Sequence, residues 1–161
     1  MSKHAAHTHE YVVHVEWHGD TSVGYTEYSR QHVSTAELSG ITVTLSADPA
    51  FRGDPALLNP EQLLVMAATS CQLLSFLALA ARKNIPVLSY RDTATAVMPE
   101  DDPPTRITRI VLNPRITVGD NCKQPDVAQL VQQAHEQCYI ANSLRSAIEI
   151  GPQIQVGVPT V

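Results

Sequence analysis

A long helix without charged side chains constrains the fold of this chain most. No Asp, Glu, Lys or Arg occurs from Gln62 to Ala81. Asn59 suits the N-cap position, Pro60 suits the first helical position, and Gln62 can bond back to the cap. Basic and helix-stopping residues then follow, namely Arg82, Lys83, Asn84 and Pro86. The sequence therefore predicts a helix from about Pro60 to Lys83.

This helix is apolar on nearly all sides, so other elements must enclose it. A membrane span is the alternative, but the run contains Thr69, Ser70, Gln72 and Ser75, and the rest of the chain offers no second span. Burial inside protein is the better account. One domain of 161 residues can hardly cover every side of such a helix with a single sheet. We therefore expect an obligate, intertwined homodimer in which two long buried central helices lie against each other between two sheets.

The remaining elements predict an α+β fold with helices packed on antiparallel sheet. Alternating apolar residues and turn signals predict an antiparallel meander, then a long amphipathic hairpin, two further helices and a final strand. We expect residues 1–9 to be a frayed tail and residues 10–161 to form a single domain. The predicted ranges are strands at 11–17, 25–33, 41–45, 87–98, 105–118 and 153–158, a helix at 124–137, and a short helix after Asn142.

Composition excludes several classes of function. The net charge is −5 and no basic cluster is present, so nucleic acid is not an expected partner. The N-terminus has no apolar signal-peptide segment, and three cysteines are too few for a secreted disulfide scaffold. A reducing cytoplasm fits this composition best, and a disulfide there is more often catalytic than structural.

Two cysteines in helical stretches, together with an arginine and a glutamate, suggest thiol chemistry. Cys71 lies within the long helix, and Cys138 lies in another helix-like stretch directly after the helix predicted at 124–137. A buried cysteine is usually inert, and a thiol with a pKa near 8.5 is only about 3% thiolate at pH 7. A peroxidase thiol therefore needs a neighbouring cation, which either Arg52 or Arg30 can supply. Glu61 would hold that arginine in place.

Two motifs resemble the OsmC/Ohr superfamily of osmotically induced and organic hydroperoxide resistance proteins, in its general OsmC-like branch. The first is Asn-Pro-Glu-Gln-Leu-Leu at 59–64, followed by Ala-Thr-Ser before Cys71. The second is Glu-Gln-Cys-Tyr-Ile-Ala-Asn-Ser at 136–143. A weaker match lies at Trp17 to Asp20. Tyr139 departs from the family, whose members usually have proline after the second cysteine.

The resemblance implies an OsmC-like fold and a peroxidase of organic or small hydroperoxides. In the family pattern, Cys71 would be the nucleophile that becomes a sulfenic acid, and Cys138 would resolve it as a disulfide. Glu61 would be the arginine holder. Arg52 is the first choice for the arginine and Arg30 the second, because the arginine lies upstream of Asn-Pro-Glu. The implied reductant is a lipoyl-type dithiol or another small thiol, and no metal or organic cofactor is expected.

Helix geometry restricts how such a site is assembled. On one continuous helix Glu61 and Cys71 would be about 15 Å apart. Either the helix breaks between them, or the arginine and Glu61 come from the partner chain. We expect a site at the dimer interface.

Two other classes of function remain open. The chain would also suit a small hydrophobic ligand-binding module, with Cys71 merely buried, or a structural dimer module without chemistry. The tail histidines His4, His7 and His9 are expected to be solvated, because they lie in a flexible tail without a carboxylate partner. His135 is expected at the surface, and Cys122 is expected to be exposed and incidental.

Overall fold

The computed structural model describes residues 8–157, so His4, His7 and most of the predicted tail lie outside the described residues. The chain divides into two compact units between Leu63 and Leu64, inside the long helix. Whether residues 10–161 behave as a single domain stays a prediction. Within residues 8–157 the strands are β1 Val13–Glu16, β2 His32–Ala36, β3 Thr42–Leu45, β4 Val87–Arg91, β5 Thr95–Val97, β6 Arg109–Leu112, β7 Arg115–Val118, β8 Ala147–Ile150 and β9 Gln153–Val156. The helices there are α1 Pro60–Arg82, α2 Gln124–Glu136 and α3 Tyr139–Ser143.

The first unit contains a three-stranded antiparallel sheet in the order β1-β2-β3. The predicted meander is therefore confirmed, but its middle strand is His32–Ala36 and not residues 25–33. The reason lies in Arg30, whose guanidinium donates hydrogen bonds to the carbonyl oxygens of Tyr25 and Tyr28. These carbonyls are satisfied by a side chain, so the segment forms a turn instead of pairing with a neighbouring strand.

Helix α1 has the predicted caps. The Gln62 amide donates to Asn59 Oδ1 at 2.8 Å, and the Asn59 amide donates to Gln62 Oε1 at 3.1 Å, which forms a capping box. At the other end Asn84 adopts the left-handed conformation with a φ of 53°. These local interactions explain why the sequence predicted the boundaries to within one residue.

Only one stripe of α1 is buried in the single chain. The stripe consists of Ala68, Gln72, Phe76 and Ala80, which recur every four residues. On the rest of the surface Leu74 is 62% exposed and Met66 53% exposed. By length and composition alone α1 could cross a membrane, which is weak evidence because the core helix of a soluble protein meets the same criteria. Enclosure of α1 on all sides stays a prediction for the dimer.

The second unit contains two mixed sheets, in the orders β4-β7-β9 and β5-β6-β8. Strand pairs β4–β7 and β5–β6 are antiparallel, as the predicted hairpin requires, but each hairpin arm is split into two strands. Pairs β6–β8 and β7–β9 are parallel, so the expectation of purely antiparallel sheets is wrong. The physical reason is the helical crossover through α2 and α3, which returns the chain in the same direction. Strand β8 was not predicted.

The core of the second unit lies between α1, α2 and β7. The helix predicted at 124–137 is confirmed as α2, and its apolar side chains Val127, Leu130, Val131 and Ala134 are all buried. They pack with Phe76, Ala80, Ile116 and Val118. A smaller cluster joins Ala68 to Ile110 and Leu112. Thr117 in β7 is also buried, at 6% exposed, and its hydroxyl accepts a hydrogen bond from Ser89.

Candidate functional site

The second unit brings Cys71 and Cys138 together. Cys71 lies in the middle of α1 and is partly exposed, whereas Cys138 is 1% exposed. Cys138 was predicted inside a helix, with a short helix after Asn142; this is wrong, because α2 ends at Glu136 and Cys138 is the N-cap of α3. The Asn142 amide explains the break, since it donates to the carbonyls of both Glu136 and Cys138 at 3.0 Å.

The two thiols have opposite pKa shifts. Burial raises the pKa of Cys71, but hydrogen bonds from the Cys138 thiol, the Ile140 amide and the Ser75 hydroxyl outweigh it, so the net shift is downward. The Ile140 amide lies 3.5 Å from Cys71 Sγ. Burial, followed by the hydrogen bond to Cys71, raises the pKa of Cys138 to about 11. Cys71 therefore loses its proton first, while Cys138 keeps its own and donates it toward the Cys71 sulfur.

Cys71 opens onto a groove of about 720 Å³. Residues of α1 form one wall, and the segment Gln137 to Asn142 provides the other side. Tyr139 lines the groove and is 84% exposed. The nucleophile candidate is thus accessible to a small molecule, while the Cys138 beside it is shielded from solvent.

The first unit holds Arg30 and Glu61 in the lining of a second pocket, of about 400 Å³. The Arg30 guanidinium carbon lies 3.7 Å from the ring centroid of Tyr28, a cation–π contact. One carboxylate oxygen of Glu61 is buried and has no hydrogen-bond partner within residues 8–157. A buried carboxylate oxygen without a hydrogen-bond donor costs folding free energy, so Glu61 needs a donor that residues 8–157 do not supply.

Arg52 lies near the same aromatic side chains as Arg30, because its guanidinium carbon is 6.0 Å from the ring centroid of Tyr25, which the Arg30 guanidinium carbon approaches to 4.7 Å. Arg52 is exposed, adopts a left-handed φ of 66°, and caps the 3-10 helix Pro49–Phe51. The next residue must be glycine, since a Cβ on Gly53 would lie 1.6 Å from the Ala47 carbonyl oxygen. Arg52 is absent from the described lining of the pocket that contains Glu61. The structure therefore groups Glu61 with Arg30, the second choice from sequence; which arginine meets Cys71 stays a prediction.

Helix α1 is continuous from Pro60 to Arg82, so the first alternative for site assembly, a helix break, is wrong. Glu61 and Cys71 are ten residues apart on it. At 1.5 Å and 100° per residue they are about 15 Å apart along the axis and about 80° apart around it.

Cys122 and His135 were the remaining candidate residues in the second unit. Cys122 was expected to be exposed but is partly buried against the core of the second unit. The buried ring Nδ1 of His135 has no hydrogen-bond partner in the described part of the chain. Residues 8–157 contain no cluster of three or more His, Cys, Asp or Glu that could hold a metal ion.

Sequence analysis missed Ser75 as a neighbour of the Cys71 sulfur, although its spacing of four from Cys71 placed both on one helix face. It also missed the Ile140 amide, which only the fold brings near Cys71.

Known proteins resemble this chain both in sequence and in structure. A model of the OsmC-like protein family matches residues 53–152. An OsmC-like protein of unknown function from Vibrio cholerae is similar in structure, with a TM-score of 0.81 and 28% identity, covering 91% of this chain and 100% of that one. The organic hydroperoxide resistance protein OsmC of Legionella pneumophila gives a TM-score of 0.68 at 18% identity, covering 95% and 100% of the two chains.

A curated relative is the uncharacterised protein YmaD of Bacillus subtilis, which is 19% identical over 145 residues, or 88% of this chain and 91% of that protein. The family match extends over more than half of the chain and includes Glu61, Cys71 and Cys138. The resemblance inferred from the two motifs is therefore confirmed. The chain belongs to the OsmC-like protein family and has its α+β fold.

Proposed function

We propose that this protein is a thiol-dependent peroxidase that reduces organic or small hydroperoxides. The observation that carries the proposal is the pair of free cysteines with opposite pKa shifts, one accessible and one buried. The family supports it, since one structural neighbour is named an organic hydroperoxide resistance protein. The proposed chemistry needs an accessible thiol that ionises readily and a second thiol in reach, and the lowered pKa of Cys71 and its hydrogen bond with Cys138 support these roles.

The proposed reaction proceeds in two steps. The Cys71 thiolate attacks the distal oxygen of ROOH, so that an S–O bond forms, the O–O bond breaks, and the alkoxide leaves as ROH after taking a proton. Cys71 is then a sulfenic acid. The Cys138 sulfur attacks it, a disulfide forms, and the oxygen leaves as water. An external dithiol, of the lipoyl type or another small thiol, reduces the Cys71–Cys138 disulfide and completes the cycle.

We propose that each site is built from two chains. Cys71 and Cys138 come from one chain, and Glu61 with Arg30, or with Arg52, comes from the partner. Three observations support this assignment: the apolar exposed face of α1, a buried Glu61 oxygen without a hydrogen-bond partner among residues 8–157, and a separation of about 15 Å along an unbroken helix. The arginine would stabilise the thiolate and the departing alkoxide. Such a dimer would enclose α1, and a reducing cytoplasm would supply the dithiol.

Thiol counting tests the proposed function. One equivalent of tert-butyl hydroperoxide should remove two of the three thiols per chain and yield one equivalent of tert-butanol. Cys71→Ser should abolish consumption, whereas Cys122→Ser should match the wild-type rate. A peptide map should locate the crosslink between positions 71 and 138. Loss of no thiols, or equal consumption by Cys71→Ser, would contradict the proposal.

A non-catalytic ligand-binding module is the second candidate, because the groove beside Cys71 is large enough for a small apolar molecule. This alternative predicts ligand binding without any thiol loss. It gives no reason for a lowered pKa at Cys71, since a binding wall works equally well with a neutral thiol. Together, thiol counting and Cys71→Ser separate the two functions.

A further inference from the structure

Gln72 is a buried polar residue on the otherwise apolar stripe of α1, directly after Cys71. It is 1% exposed, and its neighbours on the stripe are Ala68, Phe76 and Ala80. Its Oε1 atom is buried without a hydrogen-bond partner among residues 8–157. Burying an amide group that is only partly hydrogen-bonded costs folding free energy, so stability alone does not explain a glutamine at this position.

The Gln72 side chain joins α1 to α2. Its Nε2 atom donates to the Val131 carbonyl oxygen at 3.1 Å, a buried hydrogen bond between residues 59 positions apart in the chain. The Val131 carbonyl lies inside α2, where it also accepts the helical hydrogen bond from the amide four residues further on. A carbonyl oxygen has two lone pairs and can accept both bonds. The contact is therefore additional to those that form α2, and it fixes α2 against α1.

Cys71 and Gln72 contact the two segments on either side of Cys138. Gln72 bonds to α2, which ends two residues before Cys138. Cys71 Sγ accepts a hydrogen bond from the Ile140 amide, two residues after Cys138, at 3.5 Å. The Cys138 amide in turn donates to the His135 carbonyl oxygen at 3.1 Å, which attaches Cys138 to the last turn of α2. Consecutive residues of one helix thus hold the buried thiol from both sides.

We infer that Gln72 is a positioning residue, which places Cys138 against Cys71 by fixing the end of α2 on α1. This role rests on the proposed function, in which the Cys138 sulfur attacks the sulfenic acid of Cys71. A displacement of about 1 Å is enough to slow such a step, because the reacting atoms must approach in a defined geometry. Gln72 acts on the sulfurs through the Val131 carbonyl and the last turn of α2.

Gln72→Met tests this role, because methionine has nearly the same shape and cannot donate a hydrogen bond. The first readout requires no hydroperoxide: it is the pH midpoint of Cys71 alkylation by iodoacetamide, followed by peptide mass spectrometry. Hydrogen bonds from the Cys138 thiol and the Ile140 amide lower the pKa of Cys71, and a displaced end of α2 weakens them. We expect the midpoint to rise by about half to one pH unit, the scale of one hydrogen bond.

The second readout measures how well Cys138 competes for the sulfenic acid. The protein is treated with one equivalent of tert-butyl hydroperoxide in the presence of dimedone, which captures the Cys71 sulfenic acid before Cys138 resolves it. Gln72→Met should raise the ratio of dimedone adduct to 71–138 crosslink about three- to tenfold. Both products form from the same sulfenic acid, so this ratio does not depend on how fast Cys71 is oxidised.

Two control variants distinguish positioning from general stability. Lys83→Met removes the exposed hydrogen bond from Lys83 to Gln133 of α2, and it should leave the midpoint and the ratio unchanged. Phe76→Leu, one turn along the same stripe, should lower the melting temperature by about 3 °C and leave both readouts close to the wild type. Gln72→Met should keep or raise the melting temperature, because it removes a buried oxygen without a partner and the Val131 carbonyl keeps its helical bond.

A wild-type midpoint and a wild-type adduct ratio in folded Gln72→Met would overturn the role of Gln72. An equal change of both readouts in Phe76→Leu would overturn it too, because the effect would then arise from packing in general. Gln72→Leu, which also lacks a donor, decides in the same way if the methionine variant does not fold.

The positioning role and the peroxidase fail in different ways. If the wild type forms the crosslink and Gln72→Met has the same midpoint and adduct ratio, the positioning role is wrong and the peroxidase stands. If the midpoint rises in Gln72→Met but the wild type consumes no hydroperoxide, the peroxidase is wrong and Gln72 still positions a pair of thiols.

Discussion

A site shared between chains makes a quantitative prediction about mixed dimers. Glu61 and Cys71 are about 15 Å and about 80° apart on one unbroken helix, so we assign them to different sites. The variant Glu61→Gln keeps the nucleophile and loses the carboxylate, and Cys71→Ser does the reverse. Cys71→Ser should abolish hydroperoxide consumption, and Glu61→Gln should lower it at least about thirtyfold, the scale for removing one member of a buried charged pair.

Mixing the two variants should restore activity. A hybrid dimer contains one site with both Cys71 and Glu61 and one site with neither. Random exchange at equal concentrations makes half of the dimers hybrids, each with one of its two sites complete. The mixture should therefore reach about a quarter of wild-type activity. Consumption of tert-butyl hydroperoxide is measured with dithiol reductant in excess, after incubation long enough for chains to exchange.

The control mixture pairs Glu61→Gln with the double variant Glu61→Gln/Cys71→Ser. Its hybrids contain as many nucleophiles as the test mixture but no complete site, so its activity should stay at the average of its parents. If the test mixture also stays at its parents' average although exchange is complete, then the carboxylate and the nucleophile act within one chain, and the assignment of Glu61 to the partner is refuted.

Two further predictions concern the dimer and the thiol pair. Leu74 is 62% exposed in the single chain, so enclosing it in the dimer contributes about 1 to 2 kcal/mol per chain. Leu74→Ser should therefore raise the dimer dissociation constant, measured by sedimentation, roughly 30- to 700-fold. Leu38→Ser, at a side chain 98% exposed, is the control, and an equal effect of both variants would contradict the proposed interface. Cys138→Ala removes a hydrogen bond that lowers the pKa of Cys71, so the midpoint of Cys71 alkylation should move to higher pH, whereas Cys122→Ala should leave it unchanged. A midpoint that moves to lower pH would contradict the origin assigned to the shift.

Local interactions made part of this fold predictable from sequence. The boundaries of α1 follow from Asn59 and Gln62, which bond to each other across three residues. The buried faces of α2 and of β6 and β7 follow from the periodicity of apolar residues, because each face must be covered by a neighbouring layer. Both kinds of signal lie within a few residues of the feature they determine.

Pairing between segments that are distant in the chain was harder to predict from the sequence. Strand β8 forms by parallel pairing with β6, and its short alternating sequence does not distinguish a strand from the helix predicted there. The turn that replaced the predicted strand at 25–33 depends on the side chain of Arg30. Such features depend on which partner the folded chain brings near, and periodicity carries no information about partners.

The same distinction between local and long-range signals applies to the residues of the candidate site. Cys71, Cys138 and Glu61 were found through motifs, but their spacing alone could not place the two sulfurs together. The Ile140 amide, which helps to lower the pKa of Cys71, is a backbone group and leaves no trace in residue type. The ranking of Arg52 over Arg30 rested on order in the chain, and only the fold placed Arg30 in a pocket with Glu61.

A single partner chain would resolve three unfavourable features of the isolated chain. The face of α1 that carries Leu74 is apolar and exposed, which disfavours an isolated chain. Within the described part of the second unit, Cys71 receives hydrogen bonds from neutral groups, and Arg82, which lines the same groove, lies about three helical turns away. Glu61 in the first unit has a buried oxygen that receives no hydrogen bond from any described residue. A symmetric partner would cover the first, and its own Glu61 with an arginine would supply charge to the second. If packing and catalysis depend on the same contact, then loss of the dimer and loss of the reactive thiolate must occur at the same protein concentration.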